Sequence, residues 1–205
     1  MNSYHFAEVA APAGAPLLIL LHGTGGDEND LVALGRQLMP GAHLIAPRGD
    51  VSEGGALRFF RRTGEGVYDM VDLERATRKM AAFIAAHVAA TGARSVSALG
   101  YSNGANILAT TLFHAPGLVR RAVLMHPLIP FVPPAQPDLA GSRVLITAGR
   151  RDPIAPVALT ERLATYFGSR GAVVRTVWHD GGHELRPAEV EAARDILAEA
   201  QPDKP

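Results

Sequence analysis

The chain has 205 residues, with 20 Lys and Arg, 20 Asp and Glu, eight His and no Cys. The length suits one domain over residues 1–205, and the 47% hydrophobic and 20% charged fractions are those of a folded globule rather than a disordered chain. A net charge of zero gives no general attraction to nucleic acid or anionic membranes, and the absence of cysteine excludes disulfides, thiolate metal sites and a thiol nucleophile.

Short apolar runs alternate with longer helical patterns along the chain. The runs predict strands at His5–Val9, Pro16–Leu21, His43–Ala46, Ser95–Gly100, Arg121–Met125, Arg143–Ala148 and Ala172–Trp178. Several of these runs are apolar at every position, which is typical of strands that are buried on both faces of a parallel sheet.

Helical patterns lie between the predicted strands. They cover Asp30–Met39, Asp69–Ala90, Gly104–Phe113, Pro156–Phe167 and Pro187–Ala200. Asp30 is expected to cap the first helix, and the last two helices open near a proline. Strands that alternate with helices predict an α/β fold with a mostly parallel central sheet of about seven strands and helices on both faces.

Two segments do not follow the alternation. Pro47–Tyr68 is a long glycine-rich connection, and His126–Gly141 is rich in proline. Each follows the carboxyl end of a predicted strand, which is where open α/β sheets carry their binding sites. Loops of this length in a compact domain are often functional.

The segment Gly100-Tyr-Ser-Asn-Gly104 matches the pattern G-x-S-x-G. A predicted strand precedes it and a predicted helix follows it, so Ser102 would lie on a sharp strand-to-helix turn with its hydroxyl exposed above the sheet. The glycines would remove Cβ atoms where the turn packs closely. Ser102 is therefore the candidate nucleophile.

A serine hydroxyl needs a neighbouring base that is itself oriented by an acid. His183, in the loop between the last strand and the last helix, is the preferred base, and His179 is its rival. The two histidines are four residues apart, but the glycines between them argue against a metal-binding pair on a helix.

Asp152 is the preferred acid, because it follows the penultimate strand by a few residues. Asp138 and Asp180 compete with it: Asp138 precedes a strand, and Asp180 adjoins the histidine loop. The resulting order of nucleophile, acid and base along the chain is the order expected for an α/β-hydrolase.

The loop His22-Gly-Thr-Gly-Gly-Asp-Glu follows an apolar strand. Its glycines would let backbone amides approach a substrate oxygen, and we expect the N–H groups of Thr24 and Asn103 to form an oxyanion hole. His22 is expected to order this loop by hydrogen bonding rather than to act as the base.

The candidate substrate contacts are Arg58, Phe59, Phe60, Phe131 and Ile154. An aromatic ring at position 59 or 60 would form a wall for an aryl or short acyl group, and an arginine would bind a carboxylate or phenolic oxygen. An equally weighted alternative is that the arginines of Arg58–Arg62 pair with Glu53, Glu65 or Asp69 and fix the loop.

Together these motifs resemble the small carboxylesterase and phospholipase branch of the α/β-hydrolases, which is related to acyl-protein thioesterases and includes hydrolases of methylhydroquinone degradation. The resemblance rests on HGTGGDENDL, GYSNG, GRRDP and GGHEL, and on the segment that contains RFFRR. It covers nearly the whole chain and implies a serine esterase with a minimal lid and no cofactor or metal. Thioesterase relatives commonly carry Gln at the position of Asn103, which weakens the case for palmitoyl-protein substrates.

The expected function is therefore a carboxylesterase that cleaves short-chain or aryl esters through an acyl-enzyme. The alternatives are a thioesterase or lysophospholipase for longer acyl chains, and a ligand-binding protein of hydrolase fold without turnover. A small-molecule ester is the expected partner, the few arginines make a poor nucleic-acid footprint, and homodimers are common in this branch. The longest aliphatic run, Leu17 to Leu21, is too short to span a bilayer, and no export signal is evident, so a cytoplasmic location is expected.

Overall fold

A computed structural model describes residues 4–133, 135 and 138–199. The strands in this part of the chain are β1 (Phe6–Val9), β2 (Leu17–Leu21), β3 (His43–Pro47), β4 (Val51–Glu53), β5 (Ala56–Arg58), β6 (Arg62–Gly64), β7 (Val67–Tyr68), β8 (Val96–Tyr101), β9 (Arg121–Met125), β10 (Arg143–Gly149) and β11 (Val173–His179). The helices are α1 (Val32–Leu38), α2 (Met70–Thr91), α3 (Asn103–His114), α4 (Val157–Ser169) and α5 (Pro187–Ala198).

The central sheet has seven strands in the order β1-β3-β2-β8-β9-β10-β11. Neighbouring strands are parallel except at one edge, where β1 runs antiparallel to β3. This arrangement confirms the predicted mostly parallel α/β sheet, and each of the predicted strands is present. The predicted end of the last helix at Ala200 lies outside the described residues.

Both faces of the sheet are covered, which explains why β2 is apolar at every position. Leu17, Ile19 and Leu21 pack into the core that also contains Ile84 of α2, whereas Leu18 and Leu20 pack into a second core with Ile196 of α5. Helices α2, α3 and α4 contribute to the first core, and α1 and α5 to the second. All five residues of β2 are buried, as expected for an inner strand of a parallel sheet.

The glycine-rich connection after β3 is more ordered than the sequence predicts. It contains two small antiparallel hairpins, one of β4 with β5 and one of β6 with β7. Strands of two or three residues give no measurable alternation of polar and apolar residues, so the sequence pattern did not reveal them.

A side chain caps α2, whereas the cap expected at the first helix is absent. The Asp69 carboxylate accepts hydrogen bonds from the N–H groups of Val71 and Asp72 at the start of α2. The expected cap at Asp30 is wrong: α1 begins after Leu31, and no side chain caps it. Asp30 instead lies in the preceding turn, where its N–H donates to the Asp27 carbonyl.

None of the helices in the described part of the chain is long and apolar enough to cross a membrane. The carboxyl ends of the parallel strands all lie at one edge of the sheet. The loops that carry the predicted chemistry follow β2, β3, β8, β9, β10 and β11 at this edge.

Candidate active site

Ser102 lies between the end of β8 and the start of α3, in a backbone conformation with φ 51° and ψ −113°. Side chains other than glycine rarely adopt a positive φ, so this turn stores strain. The Ser102 N–H donates to the carbonyl of Met125 at 2.8 Å, which ties the turn to the neighbouring strand β9. The turn has the sharp geometry predicted from the pentapeptide.

The two glycines of the pentapeptide are required by close backbone contacts. A Cβ atom on Gly100 would lie 2.4 Å from the carbonyl oxygen of Gly104. A Cβ atom on Gly104 would lie 2.0 Å from the carbonyl oxygen of Leu21. Neither contact is tolerable, so the turn can form only without side chains at these two positions.

The structure brings Ser102, His183 and Asp152 into one chain of hydrogen bonds. His183 Nε2 lies 2.9 Å from Ser102 Oγ, and His183 Nδ1 lies 2.6 Å from Asp152 Oδ2. The Tyr101 hydroxyl donates to the His183 carbonyl at 2.8 Å and so holds the histidine loop over the serine. In this geometry the imidazole can accept the proton of the hydroxyl while the carboxylate holds its other nitrogen.

The rival residues lie elsewhere. His179 Nε2 faces Glu189 Oε2 at 3.3 Å rather than the serine. Asp180 is exposed, with Arg150 3.9 Å away, and Asp138 accepts a hydrogen bond from the N–H of Ala140 in a local turn. None of the three contacts Ser102.

Asp152 is completely buried and uses both of its oxygens. Oδ1 accepts hydrogen bonds from the N–H groups of Ile154 and Ala155, at 2.8 and 3.0 Å. Oδ2 accepts from two histidines, His183 at 2.6 Å and His126 at 2.9 Å. Burial alone would raise the pKa of Asp152, but these hydrogen bonds together lower it below the ordinary value of an aspartate.

His126 is a site residue that no sequence motif indicated. His126 immediately follows β9, has a positive φ of 52°, and is fully buried. Its Nδ1 contacts Asp152, and its Nε2 lies 3.0 Å from Oε1 of Glu189, near the start of α5. The available signal was its position at the carboxyl end of a buried strand, the same kind of position that made Ser102 a candidate.

Two sets of side chains at this edge bring possible metal-ligand atoms close together: His126, His179 and Glu189, and His126, Asp152 and His183. The contacts between histidine nitrogens and carboxylate oxygens in both sets are 2.6 to 3.3 Å long. Hydrogen bonds account for the contacts of His126 and His183, and His179 lies at ion-pair distance from Glu189. We therefore describe the sets as a hydrogen-bonded network.

Thr24 and Asn103, the predicted oxyanion residues, both line the cavity that contains Ser102. Neither of their backbone N–H groups donates to an acceptor within the described residues. Their side chains are engaged instead: Thr24 Oγ1 accepts from Arg58 Nη1 at 2.7 Å, and Asn103 Oδ1 accepts from the N–H of Phe59 at 2.8 Å. The side-chain contacts fix two loops and leave the two backbone N–H groups without an acceptor among the described residues.

His22 joins the loop that contains Thr24 to the loop after β3. The N–H of Gly49 donates to His22 Nε2 at 2.9 Å, and His22 Nδ1 lies 2.7 Å from the Gly23 carbonyl. The ring is buried, and burial lowers the pKa of His22, which is consistent with a neutral ring that carries its proton on Nδ1. Its contacts are those of a loop-ordering residue.

A cavity of about 270 Å³ opens beside the serine. The side chains that line it include Ser102, His183, Arg58, Tyr68, Leu128 and Ile154. Two of the predicted substrate contacts, Arg58 and Ile154, are therefore at the cavity.

The three predicted phenylalanines are not at the cavity, and the expectation of a phenylalanine wall needs correction. Phe59 and Phe60 are fully buried in the core, where Phe59 packs against Tyr4 and His22. Phe131 lies beside a separate small recess. Burying a large aromatic side chain stabilises a fold by about 1.5–3 kcal/mol, which favours the core over a solvent-filled cavity.

Arg58 and Arg62 both contact Glu53, as the loop-fixing alternative predicts, and both line the cavity. Arg62 pairs with Glu53 and Glu65, at 3.0 and 2.5 Å, and so fixes the loop. Arg58 is 3% exposed and lies at the cavity, with Glu53 3.3 Å from its Nε. Burial and the nearby charge of Arg62 lower the pKa of Arg58, although a guanidinium remains a cation in proteins. Its Nη2 has no hydrogen-bond acceptor among the described residues.

Comparison with known proteins places the chain among hydrolases. No protein-family model matches it. It is 46% identical over 186 residues to a Bacillus subtilis (strain 168) protein named "Putative hydrolase MhqD". This alignment covers 90% of this chain and 93% of that protein. Among solved structures, Atu2452 from Agrobacterium tumefaciens, a protein of unknown function, matches with a TM-score of 0.92 and 58% identity over 96% of this chain and 97% of that chain. The Bacillus cereus carboxylesterase matches with a TM-score of 0.87 and 38% identity, and the match covers 93% of this chain and 92% of that chain.

Proposed function

The chain belongs to the carboxylesterase family of the α/β-hydrolases, and we propose that it hydrolyses carboxylic esters with Ser102 as the nucleophile. The observation that carries this assignment is the hydrogen-bonded chain from Ser102 through His183 to Asp152, with distances of 2.9 and 2.6 Å. The strained turn at Ser102 supports it, because strain of this kind is concentrated at functional sites.

In the first half of the reaction, Ser102 Oγ attacks the ester carbonyl carbon while His183 Nε2 takes the hydroxyl proton. Asp152 accepts a hydrogen bond from the Nδ1–H of His183, which fixes the ring orientation and stabilises the imidazolium that forms. His183 then gives its proton to the leaving alcohol oxygen, and the acyl group remains bonded to Ser102. In the second half, His183 removes a proton from water while the water oxygen attacks the acyl carbon. The bond between that carbon and Ser102 Oγ then breaks, His183 returns the proton to Oγ, and the acid leaves.

The N–H groups of Thr24 and Asn103 stabilise the negative oxygen of both tetrahedral intermediates. Both residues line the cavity, and neither N–H group donates to another acceptor in the described part of the chain. The Asn103 N–H also belongs to the first turn of α3, where the helix dipole favours negative charge. A donor of this kind typically contributes ~10²–10³ in turnover.

The size and polarity of the cavity favour a small ester. About 270 Å³ lies below the ~300–1,000 Å³ typical of sites for drug-sized ligands, which suits a short acyl or single-ring aryl group. Tyr68, Leu128 and Ile154 provide apolar surface, and Arg58 Nη2 provides an unused donor for a carboxylate or phenolic oxygen of the substrate.

The test is hydrolysis of p-nitrophenyl acetate, butyrate, octanoate and palmitate by the wild-type protein and by Ser102→Ala, with Ser52→Ala at an exposed position of β4 as the matched control. We expect Ser102→Ala to lower kcat by ~10⁴–10⁶ and Ser52→Ala to leave it unchanged. Acetate and butyrate should be the better substrates.

Hydrolysis that survives in Ser102→Ala would contradict the nucleophile assignment. A clear preference for palmitate would replace the short-chain ester by the thioesterase or lysophospholipase alternative. A wild-type protein that hydrolyses none of the esters, yet binds them, would support the non-catalytic alternative.

A further inference from the structure

A second histidine, His126, is buried between two carboxylates beside the proposed site. Its Nδ1 lies 2.9 Å from Asp152 Oδ2, the oxygen that His183 also contacts, and its Nε2 lies 3.0 Å from Glu189 Oε1. All three side chains are fully buried. The positive φ of His126 shows that the fold maintains a strained backbone to place this ring.

The neighbours of Glu189 indicate that its carboxyl group is ionised. Oε1 accepts the Thr147 hydroxyl at 2.5 Å, and Oε2 accepts the Arg186 N–H at 2.6 Å. The Gly181 N–H donates to His179 Nδ1, so the proton of the neutral His179 ring is on Nε2, which faces Glu189 Oε2 at 3.3 Å. With donors on both oxygens, Glu189 has no need of a proton of its own.

The same reasoning gives the charge of His126. Asp152 receives only donors at its two oxygens and is ionised, so the contact from His126 Nδ1 requires an N–H. His126 Nε2 lies 3.0 Å from Oε1 of the ionised Glu189 and 3.5 Å from Nε2 of His179. The shorter contact is to a carboxylate oxygen, which only accepts, so it requires a second N–H on His126. A ring with two N–H groups is an imidazolium.

The pKa directions agree with this arrangement. Burial alone would lower the pKa of His126, but its hydrogen bonds to Glu189 and Asp152 raise it above the ordinary value. Burial would raise the pKa of Glu189, and the bonds from His126 and Thr147 lower it. The remaining titratable groups that face His126 are His183, His179 and the Tyr101 phenol, with ring centroids 5.1, 5.4 and 6.0 Å away.

We propose that His126, kept as an imidazolium by Glu189, is a positioning residue that holds Asp152 beside His183 and partly neutralises the charge of Asp152, so that loss of His126 or of Glu189 changes the pH dependence of the reaction. The inference rests on the proposed function, because it assigns the role of base to His183. A cation about 5 Å from the His183 ring disfavours a second positive charge on that ring. The esterase would consequently remain active under mildly acidic conditions.

The kinetic test compares the pH dependence of kcat/KM for p-nitrophenyl butyrate in the wild type, His126→Gln, Glu189→Gln and Glu191→Gln. Glu191 is exposed on the same helix as Glu189 and is the matched control. The acidic limb of kcat/KM reports the pKa of the base in the free enzyme. We expect this limb to move to higher pH by about one unit in His126→Gln and Glu189→Gln. At pH values below the limb, kcat/KM of these variants would then fall by up to a further tenfold. The limb should not move in Glu191→Gln.

A second measurement does not depend on activity or on the folding of a variant. In the wild-type protein labelled with ¹⁵N-histidine, NMR should show both ring nitrogens of His126 protonated between pH 6 and pH 8. A neutral His126 at pH 7, or an acidic limb that stays in place in both variants, would overturn the proposal. An acidic limb that moves in His126→Gln but not in Glu189→Gln would overturn the proposal that Glu189 keeps His126 charged. If the wild type hydrolyses no ester, the proposed function fails, and the NMR measurement still decides the charge of His126.

Discussion

Arg58 shows how one residue can serve both the fold and the site. Its Nη1 holds the Thr24 hydroxyl at 2.7 Å, and its Nε donates to the Phe60 carbonyl at 3.3 Å, so part of the guanidinium supports the oxyanion loop. The Nη2 group has no acceptor within the described residues. A buried cation with an unused donor at the edge of a cavity is suited to a substrate oxygen that carries negative charge.

Arg58→Met should change the choice between a charged and a neutral ester. We expect the ratio of kcat/KM for p-nitrophenyl hemisuccinate to that for p-nitrophenyl butyrate to fall by ~10–100-fold, because a hydrogen bond to a charged group is worth about 1.5–3 kcal/mol. Arg62→Met is the control, since Arg62 is already paired with Glu53 and Glu65. If both esters lose the same factor in Arg58→Met, Arg58 only supports the Thr24 loop.

At the scale of elements, the site depends on how closely β8 and α3 approach β2. The turn at Ser102 passes over the end of β2, and Gly104 lies against the Leu21 carbonyl. Ser102, Asp152 and His183 come from loops after three different strands. The packing of these strands in one sheet therefore brings the three side chains together.

Gly104→Ala should therefore damage both stability and activity. The added Cβ would lie 2.0 Å from the Leu21 oxygen, and relieving this contact requires backbone movement that costs at least ~2 kcal/mol. Gly168→Ala is the matched control, because Gly168 lies within α4 and its Cβ would meet nothing within 4 Å, so a gain of up to ~1 kcal/mol is expected. Urea denaturation measures both values, and equal stability of the two variants would contradict the close-contact explanation.

The elements with local signals could be predicted from the sequence. The buried strands have continuous apolar runs, and the helical pattern of Asp69–Ala90 predicted α2 to within one residue at each end. The G-x-S-x-G segment predicted its turn because both its glycines and its neighbouring elements follow the pattern.

The parts that escaped prediction depend on contacts distant in sequence. The surroundings of Glu189 come from β9, β10 and β11, so its position in the first turn of a helix gave no sign of its contact with His126. Phe59 and Phe60 are adjacent to a cavity-lining arginine, yet both rings turn into the core. Which way a side chain turns in an irregular loop is decided by packing and not by spacing.

At the scale of the whole molecule, buried carboxylates make the free energy of unfolding depend on pH. Hydrogen bonds from Arg48 lower the pKa of Glu28 to about 2, and hydrogen bonds lower the pKa values of Asp152 and Glu189 despite their burial. A carboxylate whose pKa is lower in the folded state stabilises the fold above its unfolded pKa of about 4, and this contribution disappears as the pH falls toward the folded value. His126 has the opposite sign: its contribution is complete below pH ~6.5 and is lost as the pH rises through its raised pKa.

Glu28→Gln should consequently be less stable than the wild type at pH 7, and the difference should narrow as the pH falls from about 4.5 toward 2. Glu28 and Arg48 join the Thr24 loop to the loop after β3, with Arg48 Nη2 donating to Glu28 Oε1 at 2.7 Å. Urea denaturation of both proteins across this pH range gives the difference in the free energy of unfolding. A difference that stays constant with pH would show that the charge of Glu28 does not contribute.

In the proposed mechanism, Ser102 becomes covalently bonded to the acyl group. The most direct measurement is the mass of the intact protein and of its peptides after reaction with a p-nitrophenyl phosphonate, which traps an activated serine. We expect one adduct per chain, located on Ser102, and no adduct in Ser102→Ala. An adduct on another residue, or an unmodified wild-type protein that still hydrolyses p-nitrophenyl butyrate, would contradict it.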